Sequence, residues 1–349
     1  MNKNTTRAKI IEVVKETPHS RSFVLEPLQG AGLQYEAGQF ITLVFGKGPA
    51  EKRRSYSFSS APLLHELPAI TVKEVANGEF SRPLVQHAKA GDVLTVSSIG
   101  GFFRLPEDSS SYDQVFFFAA GSGITPCFSL IKTLLATTQK QVVLVYSNRS
   151  AGGTIFYQQL LQWHQRYPGR FRIVWFFSDS PDFRTSRISK PAVELIMEQY
   201  AIFPFDRILH YTCGPELYME IIRISLISAG MPADNIRRES FDSRPRLFRP
   251  LPPDTGTYTV TIHHAGSTYE IAAGYPHSIL SAAESLGISL PYSCRAGRCG
   301  SCVATCLSGK VWMAYNEVLT EADMAKGILL TCQAYPAGGP VTIATDASS

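Results

Sequence analysis

Four cysteines constrain this chain more than any other feature. Cys294, Cys299 and Cys302 fall as C-x4-C-x2-C, and Cys332 follows after twenty-nine intervening residues. That spacing wraps a plant-type 2Fe-2S cluster, whose two irons are held by four thiolates. The chain around it must form a loop turned inward on an inorganic core. Ser293, Ala296, Gly297, Gly300 and Ser301 are small enough to let backbone N–H groups reach cluster sulfurs. Zinc is the poorer reading, because structural zinc prefers paired C-x2-C knuckles and only Cys299 and Cys302 make one. Cys299, Cys302 and Cys306 also read C-x2-C-x3-C, part of the bacterial two-cluster run. Leu307 stands where that run has proline, and no second run of cysteines exists. Cys306 is therefore expected as a small core residue on a strand. A protein built this way moves single electrons.

The wider composition sets bounds on that reading. At 349 residues the chain can bury two or three cores. Seven cysteines, an odd number, argue against a secreted disulfide scaffold. No apolar run reaches membrane-spanning length, and Met1 to Lys9 is polar, so a cytoplasmic protein with no membrane partner is expected. The net charge of +4 is uneven: residues 256–349 hold four Lys/Arg and six Asp/Glu. That asymmetry suits docking between the two halves or an ordinary solvated surface equally well. The chain has no dense basic stripe, which argues against nucleic acid.

Composition also divides the chain. Residues 243–256, SRPRLFRPLPPDTG, carry four prolines in fourteen residues and read as an extended linker. The polar loop Pro106 to Asp113 is a softer boundary. The expected domains are 1–108, 109–242 and 257–349. Short strands at 8–14, 22–26, 40–44, 69–74 and 93–97, separated by turn signals such as Gly91-Asp92, predict an antiparallel β-barrel. Apolar runs at 115–120, 142–146, 173–177 and 208–212 alternate with helical patterns at 126–135, 156–165, 190–199 and 215–228. That alternation predicts an α/β domain with a parallel sheet. After the linker, 258–263 and 268–272 read as a hairpin and 278–286 as a short helix. Cys127 is read as packing, and His263 and His264 as strand surface.

Two constellations carry further chemistry. Arg53-Arg54-Ser55-Tyr56-Ser57-Phe58-Ser59-Ser60 places a cation, an aromatic ring and hydroxyls along one strand, which suits a flavin. Gly121-Ser122-Gly123-Ile124-Thr125-Pro126 follows an apolar strand and opens a helix, where glycines allow a pyrophosphate to approach free N–H groups. It is not the G-x-G-x-x-G fingerprint, because Pro126 stands at the last position.

These motifs together resemble the ferredoxin-NADP reductase superfamily. Arg54 to Ser57 is similar to its R-x-Y-S motif, Gly78-Glu79-Phe80-Ser81 to its G-x-x-S turn, Gly121 to Pro126 to its G-x-G-x-x-P turn, and Cys213-Gly214-Pro215 to its C-G-P. The resemblance implies that Arg54 and Ser81 hold the flavin pyrophosphate, with Gly78 in that turn, while Tyr56 packs on the ring and Ser57 faces its N5 edge. It implies that Gly121, Gly123, Thr125, Pro126, Gly214 and Pro215 bind the nicotinamide dinucleotide, with Cys213 near the reacting carbon. The last ninety or so residues resemble a plant-type ferredoxin of β-grasp fold. As a whole the chain resembles oxygenase reductases, and SCRAGRCGSC and LLTCQAYP are most similar to those of phenylacetyl-CoA epoxidase systems. Steroid hydroxylase reductases and the NADH reductase of hybrid-cluster protein are further relatives.

The path this implies runs from NADPH to FAD to the 2Fe-2S cluster (ligands Cys294, Cys299, Cys302, Cys332) and on to an oxygenase component. A flavin is needed because a hydride carries two electrons and the cluster takes one at a time. Arg149, past the second parallel strand, favours NADPH, whereas Asp179 past the third favours NADH, and Ser147, Asn148 and Arg187 share that region. Phe241 is a candidate to stack over the flavin, or else a core aromatic. Rival readings are an FMN-dependent dioxygenase reductase and, outside enzymes, a simple electron carrier or redox sensor.

Overall fold

The computed structural model describes residues 5–29, 32–46, 51–182, 184–242, 244 and 250–345. Most of the Pro-rich linker's first half, residues 243 and 245–249, lies outside them. The chain divides into two compact units, Met1–Ser240 and Phe241–Ser349.

The first unit begins with β1 (Thr6–Thr17), β2 (Ser20–Pro27), β3 (Phe40–Phe45), β4 (Lys52–Ser57), β5 (Ala69–Lys73), α1 (Ser81–His87) and β6 (Val93–Gly100). These strands form one antiparallel sheet in the order β4-β3-β6-β1-β2-β5. An antiparallel bridge between Phe58, just past β4, and Ile70 on β5 joins the two ends, so the sheet closes on itself as the alternating pattern predicts. Ile10, Phe23, Leu25, Ile41, Phe58 and Ile70 are fully buried inside it.

The same unit continues with β7 (Gln114–Ala120), α2 (Ile124–Thr137), β8 (Gln141–Asn148), α3 (Tyr157–Arg166), β9 (Phe171–Phe177), α4 (Lys190–Tyr200), β10 (Ile208–Cys213), α5 (Glu216–Ser228) and β11 (Ile236–Glu239). All pair in parallel, in the order β11-β10-β7-β8-β9. The central strand β7, QVFFFAA, is apolar throughout because helices cover both faces of such a sheet. α2 is buried on nearly every side. One flank packs on the sheet, and the other meets the barrel, where Ser129 Oγ donates to the Ser60 carbonyl at 2.5 Å and Lys132 pairs with Glu66.

The second unit holds β12 (Tyr258–His264), β13 (Ser267–Ala273), α6 (Ile279–Ser285), β14 (Val303–Ser308), β15 (Val311–Met313), α7 (Glu321–Ala325), β16 (Ile328–Leu330), β17 (Ala334–Pro336) and β18 (Val341–Ala344). Its main sheet runs β13-β12-β18-β14-β16, with β12 and β18 parallel and the other pairs antiparallel. A parallel pair formed by the first and last strands, with a helix between, is the β-grasp arrangement. Cys306 lies on β14 as expected, but half-buried rather than in the core, its thiol donating to the Ser308 carbonyl at 3.4 Å. His263 and His264 face opposite ways; His264 is buried and its Nδ1 lies 2.7 Å from Thr345 Oγ1, so only His263 is the surface residue expected of both.

Candidate active site and cluster centre

The parallel sheet sets the first site. β7, β8 and β9 run outward on one side of the first strand and β10 and β11 on the other, so the switch point lies between β7 and β10. Ligands bind there, beyond the carboxyl ends of the strands. Gly121 to Gly123 follow β7, and Cys213 to Pro215 follow β10. A Cβ on Gly123 would stand 2.0 Å from the Cys213 carbonyl oxygen, so only glycine lets the two turns meet. Gly214 is hemmed in similarly by Ala120 and Tyr218. Gly121 takes φ +57°, and its carbonyl accepts from Tyr146 Oη at 2.9 Å. Thr125 Oγ1 closes the turn on the Ser122 carbonyl at 2.8 Å, and Pro126 is buried in the first turn of α2. No side chain caps α2 at Gly123 or α5 at Pro215, which leaves first-turn N–H groups for an anion. The glycines and uncapped helix starts fit a dinucleotide.

β4 brings the barrel's contribution. Arg54 and Tyr56 lie two apart on one face, and the Arg54 guanidinium sits 4.9 Å from the centre of the Phe80 ring. Phe80 belongs to the turn in which Gly78 leads into Ser81, whose Oγ accepts from the Val75 N–H at 3.2 Å. Ser57, one residue past Tyr56, turns to the opposite face, so the motif divides between two faces rather than sharing one. Its hydroxyl donates to Glu239 Oε2 at 3.0 Å.

Glu239 is a residue that no sequence motif marks. It ends β11 directly beside Cys213 in the parallel register and is 7% exposed. Burial pushes its carboxyl up to about 8, only partly offset by the Ser57 hydrogen bond. Burial, and next the charge of Glu239, push the Cys213 thiol up as well. Ser57, Glu239 and Cys213 thus gather a hydroxyl, a protonated acid and a neutral thiol at the switch point. The only sequence signal for Glu239 is an acid ending a strand otherwise built to be buried. Arg149 is exposed past β8, and its carbonyl accepts from the Asp179 N–H at 3.0 Å, so the two rival signals for the nucleotide stand side by side. Phe241 falls in the second unit and is 47% exposed.

The cluster loop runs from α6 to β14 in the second unit. Arg295, Gly297 and Gly300 take φ of 53°, 72° and 73°, which turns the backbone inward between the thiols. A Cβ on Gly297 would come within 2.8 Å of the Tyr315 carbonyl oxygen. Arg295 tolerates its strained backbone because the guanidinium lies 4.1 Å from the Tyr292 ring centre and pairs with Glu284 at 2.7 Å. The Cys302 carbonyl accepts from both the N–H and the hydroxyl of Thr331, at 2.9 and 3.0 Å, which ties the loop to the Cys332 segment.

The four thiols meet two by two, Cys294 with Cys299 and Cys302 with Cys332. Cys294 is held down to about 6, first by the Cys299 thiol donating to it and then by backbone N–H groups, including that of Ala296 at 3.3 Å. The donors, Cys299 and Cys302, are pushed up by these same bonds and by burial. Among the described residues no three His, Cys, Asp or Glu side chains converge on a single ion. Two pairs of thiols in a loop of inward N–H groups fit a dinuclear cluster and not tetrahedral zinc.

Residues 262–337 match the model of the 2Fe-2S iron-sulfur cluster binding domain, and residues 117–223 that of the oxidoreductase NAD-binding domain. The chain is 33% identical to the ferredoxin reductase component of 3-ketosteroid-9-alpha-monooxygenase from Mycolicibacterium smegmatis, across 97% of this chain and 96% of that one. It belongs to the oxygenase reductase components. One component of the 1,2-phenylacetyl-CoA epoxidase from Escherichia coli is also similar, at 31% identity over 98% of this reductase and 97% of that component. The solved structure of phthalate dioxygenase reductase shares the fold, with a TM-score of 0.60, 24% identity and coverage of 97% and 98% of the two chains. The reductase is thus an NAD(P)H oxidoreductase with a flavin barrel, a nucleotide domain and a 2Fe-2S domain. Among the described residues no helix is long and apolar enough to cross a membrane.

Proposed function

We propose that this reductase passes electrons from NADPH through FAD and its 2Fe-2S cluster to an oxygenase of the phenylacetyl-CoA epoxidase type. The gathering of Ser57, Glu239 and Cys213 at the switch point carries the reading. When bound, the flavin supplies the exchange of a two-electron hydride for single electrons that the cluster carries onward. The chain's own residues orient and hold protons. Gly121, Gly123 and Gly214 let a pyrophosphate reach the first turns of α2 and α5. Arg54 and Ser81 hold the flavin phosphates, and Tyr56 walls its ring. Cys213, neutral and buried, shapes the floor beneath the nicotinamide. Glu239 keeps its proton at neutral pH and is joined to the Ser57 hydroxyl, so a proton can be held beside the redox centre without a buried charge. Arg149 supplies the cation for a 2'-phosphate.

The test is anaerobic NADPH added to holoprotein, followed by the purified oxygenases. Both chromophores should bleach, the extracted flavin should have the mass of FAD, and phenylacetyl-CoA should be epoxidised on reconstitution. An FMN mass would sink the FAD assignment, and equal kcat/KM for NADH and NADPH the nucleotide one. A ketosteroid monooxygenase partner is the second reading, favoured by the 33% identity, and turnover with that oxygenase alone would select it.

A further inference from the structure

A short segment outside the cysteine loop braces it through contacts that lie within the second unit. Gly297 packs on the Tyr315 carbonyl oxygen so closely that a Cβ would stand 2.8 Å away, and the Gly297 carbonyl accepts from the Glu317 N–H at 3.0 Å. Asn316 fixes that segment in turn, its Oδ1 accepting from the Val318 and Leu319 N–H groups at 2.9 and 2.8 Å. The next loop residue, Arg298, turns its side chain inward and is 6% exposed. Its Nε lies 3.2 Å from Oε1 of Glu317, a side chain 3% exposed, and its Nη1 lies 2.9 Å from Asp242 Oδ2. Arg298 directly precedes Cys299, and its backbone N–H is one of the donors to the Cys294 sulfur.

We infer that Arg298 and Glu317 are positioning residues that hold the Arg298 N–H on the Cys294 sulfur and so raise the reduction potential of the cluster. The Gly297 carbonyl and the Arg298 N–H belong to one planar trans peptide and point in opposite directions. Anchoring the carbonyl on Glu317 therefore aims the N–H toward the thiols. The side chains lock the same peptide from its other end, because a buried guanidinium cannot swing away without stranding its own charge and that of the carboxylate. Donors to the sulfurs spread the negative charge that reduction adds, so the potential climbs with each of them. The C-x4-C-x2-C spacing asks for neither an arginine at 298 nor an acid at 317, so this control is additional to the ligands. The effect on potential rests on the cluster assignment above; the brace itself does not.

Two variants of the holoprotein separate positioning from the direct field of the charges. Arg298→Lys keeps the cation but loses the planar fork that meets two carboxylates, and Glu317→Ala removes an anion. Acting through charge alone, the first would leave the potential in place and the second would raise it. Positioning requires both to lower it about tenfold in the reduction equilibrium, roughly 59 mV for one electron. Glu317→Gln, which keeps an acceptor for Arg298, should recover most of that loss. Amide exchange read by mass spectrometry should quicken at least tenfold over residues 294–299, with β12 and β18 as in wild type. An unchanged or raised potential in Glu317→Ala, an unchanged one in Arg298→Lys, or wild-type exchange in the loop would overturn the inference. If a variant took up no cluster, faster exchange confined to the loop would support the brace, and faster exchange throughout the unit would overturn it. A wild type without the EPR signal of a reduced 2Fe-2S cluster would remove the cluster assignment, while loop exchange would still decide the brace.

Discussion

A carboxyl that stays protonated at neutral pH makes folding depend on pH in a direction opposite to most acids. Glu239 binds its proton up to about 8 when folded, against an ordinary value of 4.5. Between those values the folded chain holds a proton that the unfolded chain has lost. Its stabilising share is therefore complete below about pH 4.5 and is lost as pH rises through 8. Glu239→Gln has no such proton to lose. Relative to this variant, wild type should lose on the order of 3 kcal/mol of stability between pH 5 and pH 8, read by thermal unfolding at both values. A parallel fall in both proteins would show that Glu239 does not titrate there. Gly123 makes a steric claim instead. Gly123→Ala sets a Cβ against backbone, 2.0 Å from the Cys213 carbonyl oxygen, with no flexible side chain to yield. The turns must part, and kcat/KM for NADPH should fall at least tenfold, because misplacing a binding loop by about 1 Å can cost that much or more. Wild-type kinetics in the variant would mean that the turns are free to separate.

Elements form here for reasons that differ in how openly the sequence states them. α7 is five residues long and cannot stand on propensity. Thr320 holds it with a capping box, its hydroxyl accepting from the Asp323 N–H at 3.2 Å while Asp323 accepts from the Thr320 N–H at 2.8 Å. Thr320→Ala should cost about 1 kcal/mol, seen as an earlier urea midpoint for loss of cluster absorbance. No shift would mean that the strands flanking α7 hold it without the cap. The period-2 and period-3.6 patterns made the barrel strands, the parallel strands and the four long helices legible, with ends within a few residues. α7, α1 and β11 are too short for a period to show. Along β4 the residue types of the flavin motif were legible but not their division between faces. Strict alternation sends Ser57 away from Tyr56, and only β11 supplies its partner.

At the scale of the molecule, the chain keeps its two kinds of redox chemistry in separate compact units, and the sequence showed why. Cysteine spacing is local, so the four candidate cluster ligands could be picked out by counting. Glu239 and Arg298 could not, because a partner 182 positions away in the chain, or a guanidinium between Asp242 and Glu317, leaves no periodic trace. Separate units make loss of one centre survivable by the other. Cys299→Ser removes one thiol of the first pair and leaves an oxygen that binds iron less well. The variant should lose cluster absorbance and oxygenase turnover by at least tenfold. NADPH-driven reduction of ferricyanide, which draws electrons from the flavin, should stay within about twofold of wild type, since the nucleotide turns and the cysteine loop belong to different compact units. Loss of both activities together would mean that the first unit needs a loaded cluster to hold its shape. Retention of the cluster's absorbance would instead remove Cys299 from the ligands, leaving Cys306 as the nearest thiol in sequence to replace it.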